Sequence, residues 1–350
     1  MTFDELGGWR TILTELTAGH DLTAAQARAA MGEILAGEAT PAQIAGYIVA
    51  LRMKGEAVDE VSGMVDAMLG AAAPIDLGDL AAVDIVGTGG APTRRVHALN
   101  VSTMACFVVA GAGVAVCKHG NRRASSTSGS MDLLEALGVA IELSGDEVAR
   151  CVQEAGVGFC FARAFHPAMR HAGPVRAELG VPTVFNVLGP LSHPARVQRQ
   201  VIGVSDPRIA PTVIGVLQAR GAPRAMVVHG HDGMDELTTT GPTTVFELRD
   251  GEVHERQLVP GDVGLAVADA EQVKGGTPVD NAALADRVFG GEAGPYRDIV
   301  LLNAAAGLWV GGAVDDLAEG VDRAAASIDE GRAAAALRAL RELAPTATDG

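Results

Sequence analysis

The chain has 350 residues, of which 48% are hydrophobic and 3% aromatic, and its formal net charge is −16. This length predicts two domains, or one large domain with a smaller companion, built on aliphatic cores. The acidic balance argues against broad binding to nucleic acid or to an anionic membrane, because such binding needs a basic surface. The four cysteines lack the spacing of a metal site, so we expect reduced thiols. Neither a signal peptide nor a long apolar span is evident, so we expect a soluble, cytoplasmic protein.

The first part of the chain, from Trp9 to Ala73, predicts four short helices. Their caps are predicted at Thr23, Thr40 and Asp59. The apolar positions Ile44, Ile48 and Leu51 recur at helical spacing, which indicates a small amphipathic bundle. Such a bundle serves as a scaffold, and it can also supply the face of a dimer.

Two strands followed by polar loops are predicted next in the chain. The apolar run at residues 83–86 favours a buried strand, and the glycines that follow it allow a close approach of the backbone to a ligand. Either Ser102 or Thr103 is predicted to cap a helix over residues 104–111, and such a helix start attracts phosphate. A second strand, over residues 114–117, is expected to deliver Lys118, His119 and Asn121 from its carboxyl end.

A serine-rich stretch over residues 125–130 follows this second strand. Ser130 is the best candidate to cap a helix over residues 132–137. Two helix starts, one lysine and many hydroxyl groups then lie within fewer than fifty residues. This combination predicts a binding site for an anion with several phosphate groups.

The remainder of the chain alternates strands and helices. Helices are predicted at 147–155, around Arg176, and at 211–220, 281–288, 298–310 and 314–342; strands at 157–161, 200–204 and 225–228; a strand or turn at 183–188; and a hairpin at 238–248. The run from His229 to Glu236 follows the last buried strand and ends in two carboxylates. Paired carboxylates at a strand end suit a hard cation such as Mg²⁺.

Eight of these motifs together resemble the anthranilate phosphoribosyltransferase family of the nucleoside phosphorylase/phosphoribosyltransferase group. They lie at residues 84–90, 100–103, 118–122, 128–130, 166–170, 174–176, 185–191 and 229–236. The resemblance implies an α/β protein with a small α-helical domain at residues 1–75, on which helices near 166–180 pack, and a larger α/β domain at 76–350 with a central mixed sheet flanked by helices. It also implies a homodimer that transfers phosphoribosyl from phosphoribosyl diphosphate to the amine of anthranilate with Mg²⁺.

The resemblance also implies roles for individual residues. Phosphoribosyl diphosphate would be held by Gly87, Gly90, Asn100, Ser102, Thr103, Lys118, Asn121, Ser126 and Ser130, and anthranilate by Gly87, His119, Asn121 and Arg176. Lys118, His119, Asn121 and Arg176 would be the catalytic group. Ser102 would bind one Mg²⁺ ion, and Asp235 with Glu236 a second.

Residues 91–99 depart from the family pattern. The family usually continues with Asp-Gly, whereas this chain has Ala91 and Pro92 in a stretch about three residues longer. Arg94 and Arg95 are either additional phosphate donors or solvated loop charges. The alternatives are therefore the same fold acting on a different aromatic amine, a nucleoside phosphorylase, or a non-catalytic paralogue that binds a ligand or nucleic acid.

Overall fold

The computed structural model of the chain describes residues 2–90, 99–123 and 127–346. Its helices are α1 Gly8–Thr17, α2 Ala24–Ala36, α3 Pro41–Lys54, α4 Val58–Ala71, α5 Val101–Gly111, α6 Ser130–Ala136, α7 Gly145–Ala155, α8 Ala162–Phe165, α9 Gly173–Leu179, α10 Val184–Leu191, α11 Ala210–Ala219, α12 Pro278–Phe289, α13 Pro295–Gly311, α14 Leu317–Asp329 and α15 Arg332–Leu343. Its strands are β1 Val83–Gly87, β2 Val116–Gly120, β3 Val157–Phe161, β4 Arg199–Gly203, β5 Arg224–Gly230, β6 Thr243–Arg249 and β7 Glu252–Leu258. None of the described helices is both long and apolar enough to cross a membrane.

The four N-terminal helices begin where the sequence provides caps. Thr23 and Thr40 each accept a hydrogen bond from the backbone N–H three residues later, and a glutamine side chain bonds back to the cap residue. Both predictions are confirmed. The prediction of Asp59 as a cap is wrong, because α4 begins after Ala57, whose N–H donates to the Glu60 carboxylate at 2.8 Å. The side chain of Glu60 is longer than that of Asp59 and reaches back to the N–H of Ala57, three residues earlier.

The N-terminal helices share one buried cluster with part of the sheet and with residues 172–191. Ile34, Ile48 and Met64 come from the bundle, and Val175 comes from α9. Burial of such aliphatic side chains contributes about 1.5–3 kcal/mol each. This packing places α9, which carries Arg176, beside the bundle.

The central sheet has seven strands in the order β3-β2-β1-β4-β5-β6-β7. The strands from β3 to β5 in this order run parallel, and β6 and β7 are added antiparallel. The predicted class, a small helical N-terminal domain with a larger α/β domain around a mixed sheet, is confirmed. Because β1 and β4 pair with Gly87 opposite Gly203, their carboxyl ends meet at one edge of the sheet.

Successive residues of the central strands enter cores on opposite faces of the sheet. Ile85, Val201 and Met226 pack with α5 and α13 on one face. Val86 and Ile202 pack on the other face with α4, α10 and α11. Strands that are buried on both faces appear in the sequence as continuous apolar runs, which is why these strands were predictable.

Several boundaries differ from the sequence predictions. The segment predicted as a strand or turn at 183–188 is helix α10, which begins after Thr183, and Asn186 Oδ1 accepts the Thr183 N–H. The hairpin consists of β6 and β7 and turns at residues 250–251. Strand β2 begins at Val116, two residues later than predicted. The predicted helix 314–342 is two helices, separated where Gly331 adopts a left-handed conformation with a φ of 72°.

Candidate functional site

A cavity of about 710 Å³ lies at the carboxyl ends of β1 and β2. It is lined by most of the residues predicted for substrate binding: Gly87, Gly90, Asn100, Ser102, Thr103, Lys118, His119, Asn121, Ser130, Arg176 and Asp235. Ser126, Ala91, Pro92, Arg94 and Arg95 fall outside the described residues. Residues that are far apart in the chain therefore meet at the edge where parallel sheets bind ligands.

Two glycines at strand ends make room for Asp235. A Cβ atom on Gly87 would lie 2.2 Å from Asp235 Oδ2, and one on Gly203 would lie 1.7 Å from the Asp235 carbonyl oxygen. Both distances are far below van der Waals contact, so neither position tolerates a side chain unless Asp235 moves. The glycines thus let the acidic loop after β5 reach the end of β1.

The three predicted metal-binding residues are brought together. Asp235 Oδ2 accepts the Gly89 N–H at 2.8 Å, and Glu236 Oε1 accepts the Ser102 N–H at 3.1 Å. Asp235 is 1% exposed and Glu236 is 3% exposed. Buried carboxylate and hydroxyl oxygens form a hard donor set, which fits Mg²⁺.

The helix in the predicted phosphate-binding segment begins three residues earlier than expected, at Val101 and not at residue 104. Helix α5 begins at Val101 after Asn100, so Ser102 and Thr103 lie in its first turn and neither is the cap. Asn100 makes no cap bond, because its Oδ1 accepts from Ser128 and Asn281 at 2.8 Å each. The first turn still presents backbone N–H groups and two hydroxyls at the cavity wall.

The second predicted cap is also wrong. Helix α6 begins at Ser130, and the cap position is Gly129, whose N–H donates to Asp132 Oδ2 at 2.9 Å. The Ser130 hydroxyl donates instead to the Asn121 carbonyl at 3.1 Å. This bond joins α6 to the loop after β2, so Asn121 and Ser130 line the cavity together.

Lys118 is buried within β2 and lines the cavity. Its ammonium group donates to the carbonyl oxygen of Ile85 on the neighbouring strand β1. Burying an ammonium is expensive unless hydrogen bonds compensate. This bond holds a positive charge near the end of β1, and the predicted contact with diphosphate stays a prediction.

His119 is a buried neutral histidine. Burial lowers the pKa of His119 well below its ordinary value, and the neighbouring imidazoles of His193 and His166 add to the effect. Its Nδ1 lies 3.0 Å from the Gly189 carbonyl oxygen and therefore carries the proton, which leaves the lone pair on Nε2. Nε2 has no hydrogen-bond partner among the described residues, so it is available to accept a hydrogen bond.

His166 lies beside His119, with ring centroids 5.3 Å apart. Burial lowers the pKa of His166 to about 4, with a further contribution from His193. Both rings are therefore neutral at pH 7. Together they form an uncharged wall of the cavity.

Arg176 supplies a positive charge on the side of the cavity formed by α9 and α10. Its guanidinium lies 5.0 Å from the ring centroid of Phe185, in a cation–π arrangement. Burial lowers the pKa of Arg176, and no acidic side chain of the described residues opposes this shift. A half-buried arginine with this environment suits a carboxylate ligand.

A separate polar cluster lies behind the cavity. Cys117, Cys160 and His193 place one donor atom each within 4.8 Å of the others, although their spacing along the chain does not indicate it. His193 Nε2 already donates to the Cys117 carbonyl at 2.8 Å, its Nδ1 accepts from Ala195 at 3.1 Å, and the Cys160 thiol donates to the Lys118 carbonyl. We assign the cluster a structural role, since these bonds tie β2 and β3 to the segment after α10.

Two polar residues of this region, Asn281 and Asn303, were not predicted from the sequence. Both are buried, and both bond to the loops that line the cavity. A signal was present, because Asn303 lies within the otherwise apolar run at residues 299–310. A polar side chain in a fully buried helix needs a specific partner.

Comparison with known proteins agrees with the site. Residues 79–334 match the model described as "Glycosyl transferase family, a/b domain", and residues 10–72 match the helical bundle domain of the same family. The anthranilate phosphoribosyltransferase of Arthrobacter sp. (strain FB24) is 52% identical over 335 residues, which cover 94% of each chain.

Solved structures give the same result. The anthranilate phosphoribosyltransferase of Thermus thermophilus superposes with a TM-score of 0.89 at 45% identity, covering 95% of this chain and 99% of that one. The Saccharomyces cerevisiae enzyme in complex with PRPP and Mg superposes with a TM-score of 0.86 at 28% identity, covering 96% and 97%. The chain described here therefore belongs to the anthranilate phosphoribosyltransferase family.

Proposed function

We propose that the chain transfers the 5-phosphoribosyl group of 5-phosphoribosyl 1-diphosphate to the amine of anthranilate and releases diphosphate, a step of tryptophan biosynthesis. The observation that carries this proposal is a single cavity at which the buried carboxylate of Asp235, the first turn of a helix that Glu236 bonds, and an arginine without an acidic neighbour among the described residues meet. These features match the cation, the diphosphate and the acceptor carboxylate, respectively. The names of the relatives give the same activity.

The diphosphate end of the cavity would be formed by the loop after β1 and the first turn of α5. Gly87, Gly90, Ser102 and Thr103 supply backbone N–H groups and hydroxyls there, with Asn100, Lys118, Asn121, Ser126 and Ser130 completing the proposed set. Negative charge grows on the leaving diphosphate as its bond to the sugar breaks. Donors that are already positioned stabilise this charge without reorganisation at the moment of reaction.

The cation would be held by the Ser102 hydroxyl and the carboxylates of Asp235 and Glu236. We propose two Mg²⁺ ions, with Ser102 at one and the carboxylates at the other, and the bond between Ser102 and Glu236 makes these positions adjacent. When bound there, Mg²⁺ neutralises part of the charge on the diphosphate. A yeast relative has been solved with PRPP and Mg.

The acceptor would lie between His119, Asn121 and Arg176. Arg176 has a planar fork of donors that can engage both oxygens of a carboxylate. The amine of anthranilate is neutral at pH 7 and already has its lone pair, so attack requires alignment more than a strong base. His119 Nε2, an acceptor on a neutral ring, would orient the amine N–H.

The proposal is tested by following the loss of anthranilate fluorescence with phosphoribosyl diphosphate and Mg²⁺, and by identifying the product by mass spectrometry. We expect phosphoribosyl anthranilate and diphosphate in equal amounts. Matched reactions with aniline and with 4-aminobenzoate report the choice of acceptor. Bound phosphoribosyl diphosphate without turnover of anthranilate would contradict the proposed acceptor.

We also propose that the chain is a cytoplasmic homodimer divided near residue 75. The free state of all four cysteines supports a reducing compartment. Sedimentation equilibrium of the purified chain tests the dimer, and a monomer at micromolar concentration would contradict it.

A further inference from the structure

Two buried asparagines from C-terminal helices contact the loops that form the cavity. Asn281 lies on α12 with 0% exposure, and Asn303 lies on α13 with 1% exposure. A buried amide is destabilising unless its donors and acceptors are bonded. The bonds that these two side chains make therefore indicate why each is present.

Asn303 binds both backbone groups of one residue. Its Oδ1 accepts the Leu237 N–H at 3.1 Å, and its Nδ2 donates to the Leu237 carbonyl at 2.8 Å. The second Nδ2 hydrogen goes to the Ile299 carbonyl at 2.9 Å, one turn earlier in α13. Rotating the amide by half a turn would oppose donors to donors and acceptors to acceptors, so its orientation is determined.

Leu237 directly follows the two carboxylates proposed to bind the cation. On the opposite side, the Asp235 carbonyl packs against Gly203, and the side chains of Asp235 and Glu236 accept from Gly89 and Ser102. The loop is thus held between the strand ends and Asn303. Loss of the Asn303 bonds would free Leu237 and shift both carboxylates.

Asn281 acts on the other wall of the cavity. Its Nδ2 donates to Asn100 Oδ1 at 2.8 Å, and its Oδ1 accepts the Gly276 N–H at 2.8 Å. Asn100 also donates to the Ser128 carbonyl at 3.2 Å and precedes the first turn of α5. Asn281 therefore ties Asn100, at the start of α5, to α12 and to the segment at Gly276, and Asn100 in turn joins this turn to Ser128.

We propose that Asn303 is a positioning residue for the cation-binding carboxylates Asp235 and Glu236, and that Asn281 is a positioning residue for the diphosphate-binding turn at residues 100–103. The inference rests on the proposed function. It assigns different parts of substrate binding to two side chains that do not line the cavity. The two asparagines have the same chemistry and burial, so each serves as the matched control for the other.

The test compares Asn303→Ala with Asn281→Ala. In Asn303→Ala we expect the affinity for Mn²⁺, measured by electron paramagnetic resonance, and the apparent affinity for Mg²⁺ in turnover to fall by about 10-fold, the lower end of the loss seen when residues that orient metal ligands are removed, because Asn303 acts through the backbone of Leu237. In Asn281→Ala we expect weaker binding of phosphoribosyl diphosphate by calorimetry at saturating Mg²⁺, with Mn²⁺ affinity retained. Equal losses of kcat in both variants, with neither affinity changed, would overturn the inference.

Asn303→Asp provides a conservative check if the alanine variant does not fold. The protonated carboxyl of this variant can still accept from the Leu237 N–H and donate to the Leu237 carbonyl, whereas the ionised form faces two carbonyl oxygens. Because protons also compete with Mn²⁺ for Asp235 and Glu236, the variant is compared with the wild type at each pH. We expect the ratio of the two Mn²⁺ affinities to approach one as the pH is lowered, and a ratio that does not change with pH would contradict the inference.

Asp235→Asn separates the inference from the proposed function. If this variant loses Mn²⁺ affinity while Asn303→Ala keeps it, the inference is wrong and the proposed cation site stands. If Asp235→Asn binds Mn²⁺ like the wild type, the proposed cation site itself is wrong, and the role of Asn303 falls with it.

Discussion

Replacing Arg176 by Met tests how the acceptor carboxylate is recognised. The methionine keeps an unbranched apolar stem against Phe185 but removes the guanidinium, which lies 5.0 Å from that ring. A hydrogen bond to a charged group contributes about 1.5–3 kcal/mol. At about 1.4 kcal/mol for each factor of ten, kcat/KM for anthranilate should fall by about 10- to 150-fold.

The assay compares anthranilate with aniline, which has the same amine and no carboxylate. In the wild type, anthranilate should be the better acceptor; in Arg176→Met this advantage should largely disappear while kcat/KM for aniline is retained. Arg28→Met, at an exposed position of α2, controls for the loss of one positive charge. An equal loss with both acceptors would refute the assignment, because the guanidinium would then act on something other than the carboxylate.

Three further changes have outcomes that follow from the packing. Gly87→Ala introduces a Cβ 2.2 Å from Asp235 Oδ2, so we expect Asp235 to move and turnover to require a higher Mg²⁺ concentration in initial-rate measurements. An unchanged response to Mg²⁺ would contradict the close approach of Asp235 to Gly87. Glu60→Ala removes the buried carboxylate that accepts the N–H groups of Leu22 and Ala57 and pairs with Lys54 at 3.0 Å. Urea unfolding should show that the free energy of unfolding falls by about 3–5 kcal/mol. A fall below about 1 kcal/mol would show that the network is dispensable. Folding lowers the pKa of His166 from 6.5 to about 4. Between these two pH values the unfolded chain therefore binds more protons than the folded chain. The free energy of unfolding should decrease as the pH falls through this interval, by roughly 3 kcal/mol at full effect. His166→Gln should show a smaller decrease between neutral pH and about pH 5 than His20→Gln, an exposed control, and equal pH dependence would contradict the buried neutral state.

Patterns that depend on neighbouring residues were predictable from the sequence. The runs at Val83 and Val157 are buried on both faces, so their strands followed directly from the sequence. The glycines after the Val83 run indicated the ligand-binding edge. Thr23 and Thr40 act on the turn that they precede. In each case the determining contact spans only a few residues.

Features that depend on distant residues were not predictable from local patterns. The short apolar run at 184–188 suits a strand as well as a helix, and its burial between the bundle and the sheet selects the helix. Ser102 looked like a cap, but Asn100 takes that position, and its side chain bonds to Ser128 and to the distant Asn281. The error at Ser130 is local, because Gly129 takes the cap position and donates to Asp132 three residues later. Cys117, Cys160 and His193 lie in three separate segments that the fold brings together, so their spacing along the chain does not predict the cluster.

We propose that one cavity binds phosphoribosyl diphosphate and anthranilate side by side. The most direct measurement is a crystal structure of the wild-type chain with phosphoribosyl diphosphate, Mg²⁺ and salicylate, which keeps the carboxylate and lacks the amine. We predict that the diphosphate lies between the loop after β1 and the start of α5, near Asp235 and Glu236, and that the salicylate carboxylate contacts Arg176. A carboxylate bound away from Arg176, or a diphosphate outside this cavity, would contradict the proposed arrangement of the two substrates.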